Sequence, residues 1–268
     1  MADDQAAPGP MSRWRVWHTA AVVALTAFFV WMGVWLPWGV YPSWIVAMLA
    51  LSAFTLIVGH GVTGAWKGAF VDERLRMSLS RLQMAVWTIV VVAAFGTIAI
   101  ARAQTDPVTA MDVAVPETVW ILLGISTTSL IGSPLIKNSK KETATDPVKA
   151  DALVRRQGTQ PDAVTVEGQI VKNKSIKEAS FADLFMGENV DDFSLLDIGK
   201  MQMFFFTVLI VLAYGVAVGQ LLRGVQLPAS LPDVGSGMLP LLGISHAGYL
   251  MSKATSSPAQ RGEGAPDA

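Results

Sequence analysis

The run Leu122-Leu123-Gly124-Ile125-Ser126 returns, residue for residue, as Leu241-Leu242-Gly243-Ile244-Ser245, 119 positions further along the chain. At the same offset, without insertion or deletion, Gly68, Val71, Asp72, Gln83, Met84, Thr88, Val92, Ala94, Gly96 and Ser133 return as Gly187, Val190, Asp191, Gln202, Met203, Thr207, Val211, Ala213, Gly215 and Ser252. Fifteen identities in a 66-residue window, one run of them unbroken, exceed what shared apolar composition explains. They read as an internal duplication. Each copy holds two apolar stretches, so the unit is a two-helix hairpin set in a membrane.

Composition places the chain in that class independently. Only 15% of its residues are charged against 52% hydrophobic, and the mean hydropathy is +0.45. A bilayer core about 30 Å thick takes roughly 20 apolar residues of helix to cross. Six stretches free of Lys, Arg, Asp and Glu approach or meet that length: 17–36, 43–59, 83–101, 118–136, 201–222 and 237–252. The sixth is the shortest and carries Pro240 in its first turn, where a missing N–H costs nothing. The fold expected is an all-α integral membrane protein of six transmembrane helices with a parallel internal duplication.

Charge asymmetry orients it. With six spans, eighteen Lys and Arg fall on the side of the termini and the central segment, against Arg102 and Arg223 alone on the other. Counting only Lys137, Lys140, Lys141 and Lys200 from the long central loop still leaves 12 against 2. The positive-inside rule then puts both termini in the cytoplasm, and a bacterial inner membrane suits the Cys-free, compact design. Both copies enter from and return to the cytoplasm, so the repeat is parallel and not inverted. The basic residues are accounted for by topology, and nucleic acid is not expected as a partner. A signal peptide is disfavoured, because the first apolar run is long and ends in Trp31, Trp35 and Trp38 with no small-residue cleavage site. With Tyr41 and Trp44 these tryptophans suit an interfacial aromatic belt.

The domain organisation follows: a flexible N-terminus 1–16, a first hairpin 17–61, repeat copies 68–134 and 187–253, a central loop 137–186 and a flexible tail 254–268. The first hairpin resembles a third, worn copy only if a gap is allowed. In copy one, Leu75, Met77, Leu79 and Leu82 interleave with Arg74, Arg76, Ser78, Ser80 and Arg81, as in an interfacial segment or a solvated linker. The central loop is poor in large apolar residues through Asp162, and disorder is the expectation there. Val164, Val166, Ile170 and Val171 alternate weakly, as a small strand pair would. Phe181, Leu184, Phe185 and Met186 make one apolar helical face, either packed on the protein's own interfacial segments or open to a partner.

Little in the chain suggests catalysis. Cysteine is absent, and no nucleophile elbow, phosphate loop, dinucleotide fingerprint or HExxH occurs. His18, His60 and His246 are far apart in sequence, and no metal or cofactor is expected. The duplicated acidic pairs Asp72-Glu73 and Asp191-Asp192 suit helix N-caps better than a divalent cation site. The second span of each copy carries a small and hydroxyl stripe: Ser126, Thr127, Thr128, Ser129 and Ser133 in one, Ser245, His246 and Ser252 in the other. Such a stripe either lets helices pack closely or lines a hydrated path. His246, where copy one has Thr127, is the ionisable group that favours the path. Gln83 and Gln202, with Thr88 and Thr207, are polar pairs retained in both copies and suit hydrogen bonding between them; Gly96 and Gly215 suit close crossing. Two non-enzymatic functions remain, an oligomeric channel or pore-like protein, and a membrane scaffold or signalling anchor that recruits a cytoplasmic partner through 137–186. Beyond the lipid bilayer, a second copy of the chain is the expected partner.

Overall fold

Apolar length and glycine placement set the helices in the computed structural model, which describes residues 13–35, 39–141, 147–156, 158–159, 164–235 and 237–255. In chain order these are α1 (Val16–Trp35), α2 (Val40–Thr63), α3 (Leu79–Ala103), α4 (Glu117–Lys141), α5 (Pro147–Arg156), β1 (Val164–Glu167), β2 (Ile170–Asn173), α6 (Ile198–Leu222) and α7 (Met238–Thr255). Five of them, α1, α2, α3, α4 and α6, are long and apolar enough to cross a membrane. The apolar part of α7, Met238–Met251, is shorter. At 1.5 Å per residue it extends about 21 Å, less than a full bilayer core. Of the flexible tails expected at 1–16 and 254–268, residues 1–12 and 256–268 lie outside the described residues, as do 142–146, 157 and 160–163 of the central loop, Trp38, and the side chains of Trp35 and Ser252.

Four helices stand in the cyclic order α3, α4, α7, α6: each hairpin packs within itself, α3 lies against α6, and α4 against α7. α3 and α6 are both 25 residues long, and their first and last residues are 119 positions apart. α2 lies along α3 and touches α6, while α1 packs chiefly on α2. The shared core joins Trp87, Val90, Ala94 and Ile98 of α3 to Ile210, Tyr214 and Val218 of α6 and to Trp44 and Ala47 of α2. Trp44 is therefore buried within the bundle. Its neighbour Tyr41 lies under the Arg223 guanidinium, 4.2 Å from the ring centre.

At the far end, Ala114 accepts from Leu231 N and donates to Ala229 O, both at 2.9 Å, and Thr118 donates to Asp233 at 2.9 Å. These bonds tie the two hairpin loops together. At the other end α2 stops at Gly64, whose left-handed backbone (φ 76°) lets its N–H reach the His60 carbonyl. The short 3-10 turn Gly68–Phe70 then folds back so tightly that a Cβ on Gly59 would lie 2.5 Å from Ala69 N.

The central segment departs from expectation. Disorder was expected through Asp162, yet Lys137–Lys141 continue α4, and α5 buries Ala150 and Val154 against Val171, Val190 and Phe193. Three small or branched residues at helical spacing, Ala150, Leu153 and Val154, suffice once a strand pair is there to cover them. That pair is β1 and β2, antiparallel with Val166 opposite Val171, so the fold is not purely helical. Phe181–Leu184 form a 3-10 turn that buries Leu184 and places Phe185 5.0 Å from Phe204 of α6, while Phe181 stays 57% exposed. The apolar face at Phe181 to Met186 thus packs mainly on the protein itself.

Candidate functional site

The largest concentration of chemistry lies where the ends of α3, α4, α6 and α7 meet the central segment. After the 3-10 turn at Gly68, the chain makes a hairpin-like bend in which Asp72 N donates to Arg76 O, and Leu75 occupies a left-handed conformation (φ 58°). The bend turns Asp72, Arg74 and Arg76 inward, and all three are buried. Arg74 donates from Nε and Nη2 to Asp72 at 3.0 and 2.9 Å and meets Glu188 at 3.1 Å. Lys137, one turn from the end of α4, reaches Asp72 at 2.5 Å and Glu73 at 3.4 Å. Lys200, in the first turn of α6, pairs with Glu188 at 3.0 Å and donates to Met186 O. Arg76 spans three points of the central segment: the Asp183 carboxylate at 3.2 Å, Gly187 O at 2.9 Å and Phe193 O at 3.2 Å. Asp183 in turn accepts from Met77 N and Ser180 N.

Four cations, Arg74, Arg76, Lys137 and Lys200, thus face four anions, Asp72, Glu73, Asp183 and Glu188. Burial by itself would push the Asp72 carboxyl up; Arg74 and Lys137 reverse this, against Glu188, and hold it well below the usual carboxylate range. Burial would likewise lower Arg74, but Glu188 and Asp72 raise it instead. Arg76 is lowered, first by burial and then by Arg74, with Asp183 opposing. Tightly paired buried charges of this kind impose geometry: removing one member leaves its partner stranded in a poorly solvated place.

The duplicated acidic pairs do not cap helices, contrary to expectation. α6 is capped by Asp197, whose side chain accepts from Lys200 N, and Ser78 precedes α3 without a side-chain bond. Asp72 serves the ion network, whereas Asp191 is exposed and its carboxyl is raised by partial burial and by Asp192. Among the described residues, no group of three or more His, Asp or Glu is arranged to hold a metal ion.

The hydroxyl stripe lies in the α4–α7 seam. Ser126, Ser129, Ser133, Ser245 and His246 are all buried, and His246 Nδ1 shares a hydrogen bond with Ser129 Oγ. Thr127 and Thr128 bond back to Leu123 O and Gly124 O on their own helix, and Thr128 is exposed. Of the polar residues that recur 119 positions apart, one couple is joined: Gln83 Nε2 of α3 donates to Thr207 Oγ1 of α6. The reciprocal couple is not, for Gln202 and Thr88 are both exposed. Nor do Gly96 and Gly215 mark close crossings, since a Cβ on either meets nothing within 4 Å.

Sequence distance concealed a second imidazole contact. His18 of α1 and His60 of α2 meet at 2.9 Å, between Nε2 and Nδ1, with Trp17 stacked on His18 and Trp66 4.5 Å from His60. The buried roles of Arg74 and Arg76 were equally hidden, because in sequence they read as interfacial charges. No protein-family model, curated protein or solved structure matches the chain.

Proposed function

We propose that this chain is a non-catalytic scaffold of the inner membrane. In this reading a parallel pair of hairpins, α3–α4 and α6–α7, joins the α1–α2 hairpin in six spans, with both termini and the central segment in the cytoplasm. The coincident ends of α3 and α6 support the duplication, and the gathering of Lys and Arg beside the central segment supports the orientation.

The observation that carries the scaffold reading is the state of the polar stripe. Ser126, Ser129, Ser245 and His246 are buried in the α4–α7 seam, where Ser129 and His246 share a hydrogen bond, and Ser133 is buried at the edge of the α3–α4 cavity; this supports helix packing as the use of the stripe. The buried ion network, meanwhile, fixes the central segment to the ends of α3, α4 and α6 as a firm cytoplasmic platform, which is what recruitment of a cytoplasmic partner through residues 137–186 needs. Ion flux through liposomes containing the full chain separates this from an oligomeric pore. Wild type and His246→Ala are compared at pH 5.5 and pH 8. Flux no greater than in protein-free vesicles is expected; a pH-dependent flux changed by the substitution overturns the scaffold reading.

A further inference from the structure

The contact between the two hairpins has two sides, and each side has a counterpart elsewhere on the molecule that is left open. From copy one, Met77, Leu79 and Leu82 project into a cluster with Met203, Tyr249 and Leu250 of copy two, and Gln83 donates to Thr207 beside it. The counterparts of the projecting residues, 119 positions on, are Leu196, Ile198, Met201 and Gln202. Leu196 is 61% and Ile198 68% exposed, and Gln202 is exposed as well. The counterparts of the receiving residues Met203, Thr207, Tyr249 and Leu250 are Met84, Thr88, Leu130 and Ile131. In place of a packed cluster, Met84, Leu130 and Ile131 line an open cavity of about 600 Å3 between α3 and α4, with Thr88 exposed on α3 beside it.

A two-fold axis through the pair of hairpins would join Gln83 to Thr207 and Gln202 to Thr88 in one interface. Here like helices stand side by side, α3 by α6 and α4 by α7, and the Gln83 bond alone forms. The contact is heterologous, and a heterologous contact can be repeated from molecule to molecule. Lipid chains can cover Leu196 and Ile198, but they offer no partner to an amide or hydroxyl, and they do not reproduce the shape of a neighbouring hairpin.

We propose that a second copy of this chain docks there: Leu196, Ile198 and Gln202 of one molecule enter the α3–α4 cavity of the next, and Gln202 bonds its Thr88. This rests on the reading of the hairpins as duplicated units. The contact leaves an unused projection at one end and an unused cavity at the other, so it builds a ring or a row rather than a closed pair.

The absence of cysteine makes the test direct. Full-length chains carrying Thr88→Cys and Gln202→Cys, each with its own tag, are co-expressed and treated in native membranes with a short bis-maleimide. A parallel chain carries Gln83→Cys and Thr207→Cys together. The expected result is a mixed-tag dimer from the first pair, a link within one chain from the second, and several-fold less dimer when Ile198→Gln is added to the Gln202→Cys chain. Ile198 is exposed in the single chain, so that change leaves the fold intact. A link within the chain without any mixed dimer overturns the docking alone. If neither pair links, the hairpin pairing from which the docking was drawn fails too.

Discussion

The Arg76 guanidinium meets the Asp183 carboxylate at 3.2 Å across 107 residues of chain, and it is one of the groups that hold the central segment to the head of α3. Both partners are buried, so Arg76→Met leaves Asp183 unpaired at a cost of about 3–5 kcal/mol. Limited proteolysis at residues 164–196 reads the loss directly: cleavage in the variant is expected under conditions that spare wild type. Arg76→Met combined with Asp183→Leu is expected to restore part of the protection, because no charge is then stranded.

Asp72 gives the ion network an acid limit. Its carboxyl is held below the ordinary value of 3.8, so the folded form binds the anion more tightly than the unfolded chain does. That contribution is complete at neutral pH and is lost as the pH falls below about 4 toward the depressed folded value. Asp72→Asn is expected to lower the thermal midpoint at pH 7 and to flatten its acid dependence. Asp191 runs the other way. Its carboxyl is raised, so ionisation weakens the fold, and Asp191→Asn is expected to raise the midpoint at pH 7 and to change nothing at pH 3.

In the α4–α7 seam, Ser129→Ala removes an interhelical hydrogen bond worth about 1 kcal/mol. His246→Ala removes that bond together with the imidazole's volume and is expected to cost more. Thr128→Ala, which alters an exposed side chain bonded to its own helix, is expected to cost less than either. Detergent unfolding followed by tryptophan fluorescence ranks the three.

Gly168, in the turn between β1 and β2, has φ +59°, and a Cβ there would lie 2.5 Å from the carbonyl oxygens of Lys140 and Lys141. Gly168→Ala is expected to cost about 1–3 kcal/mol through backbone strain and to detach the strand pair from the end of α4. Faster amide exchange at residues 164–173, with the bundle unchanged, is the signature to look for.

The long helices were legible because apolar length is a one-dimensional property; a run such as 83–101 declares itself without neighbours. The α3–α6 pairing through Gln83 and Thr207 was half legible, since recurrence at the 119-residue offset marked the residues but not which of them would meet. The ion network was not legible at all. Arg74 and Arg76 share the sequence signature of surface cations, and only the bend around Leu75, with a segment more than a hundred residues away, turns them inward. The α5 helix escaped for a related reason: Ala150 and Val154 become core only once Val171 and Phe193 lie over them. The His18–His60 contact depends on how α1 and α2 lie against each other, which their separate sequences do not encode.

α4 extends from Glu117 to Lys141 with Pro134 inside it, about 37 Å of helix whose last turns carry Lys137 and Lys140 into the central segment. Its first turn is fastened as well, through Thr118 to Asp233. Fastened at both ends, to the α6–α7 loop through Asp233 and to Asp72 and Asn189 through its lysines, this one helix sets the distance between the far loop and the central segment.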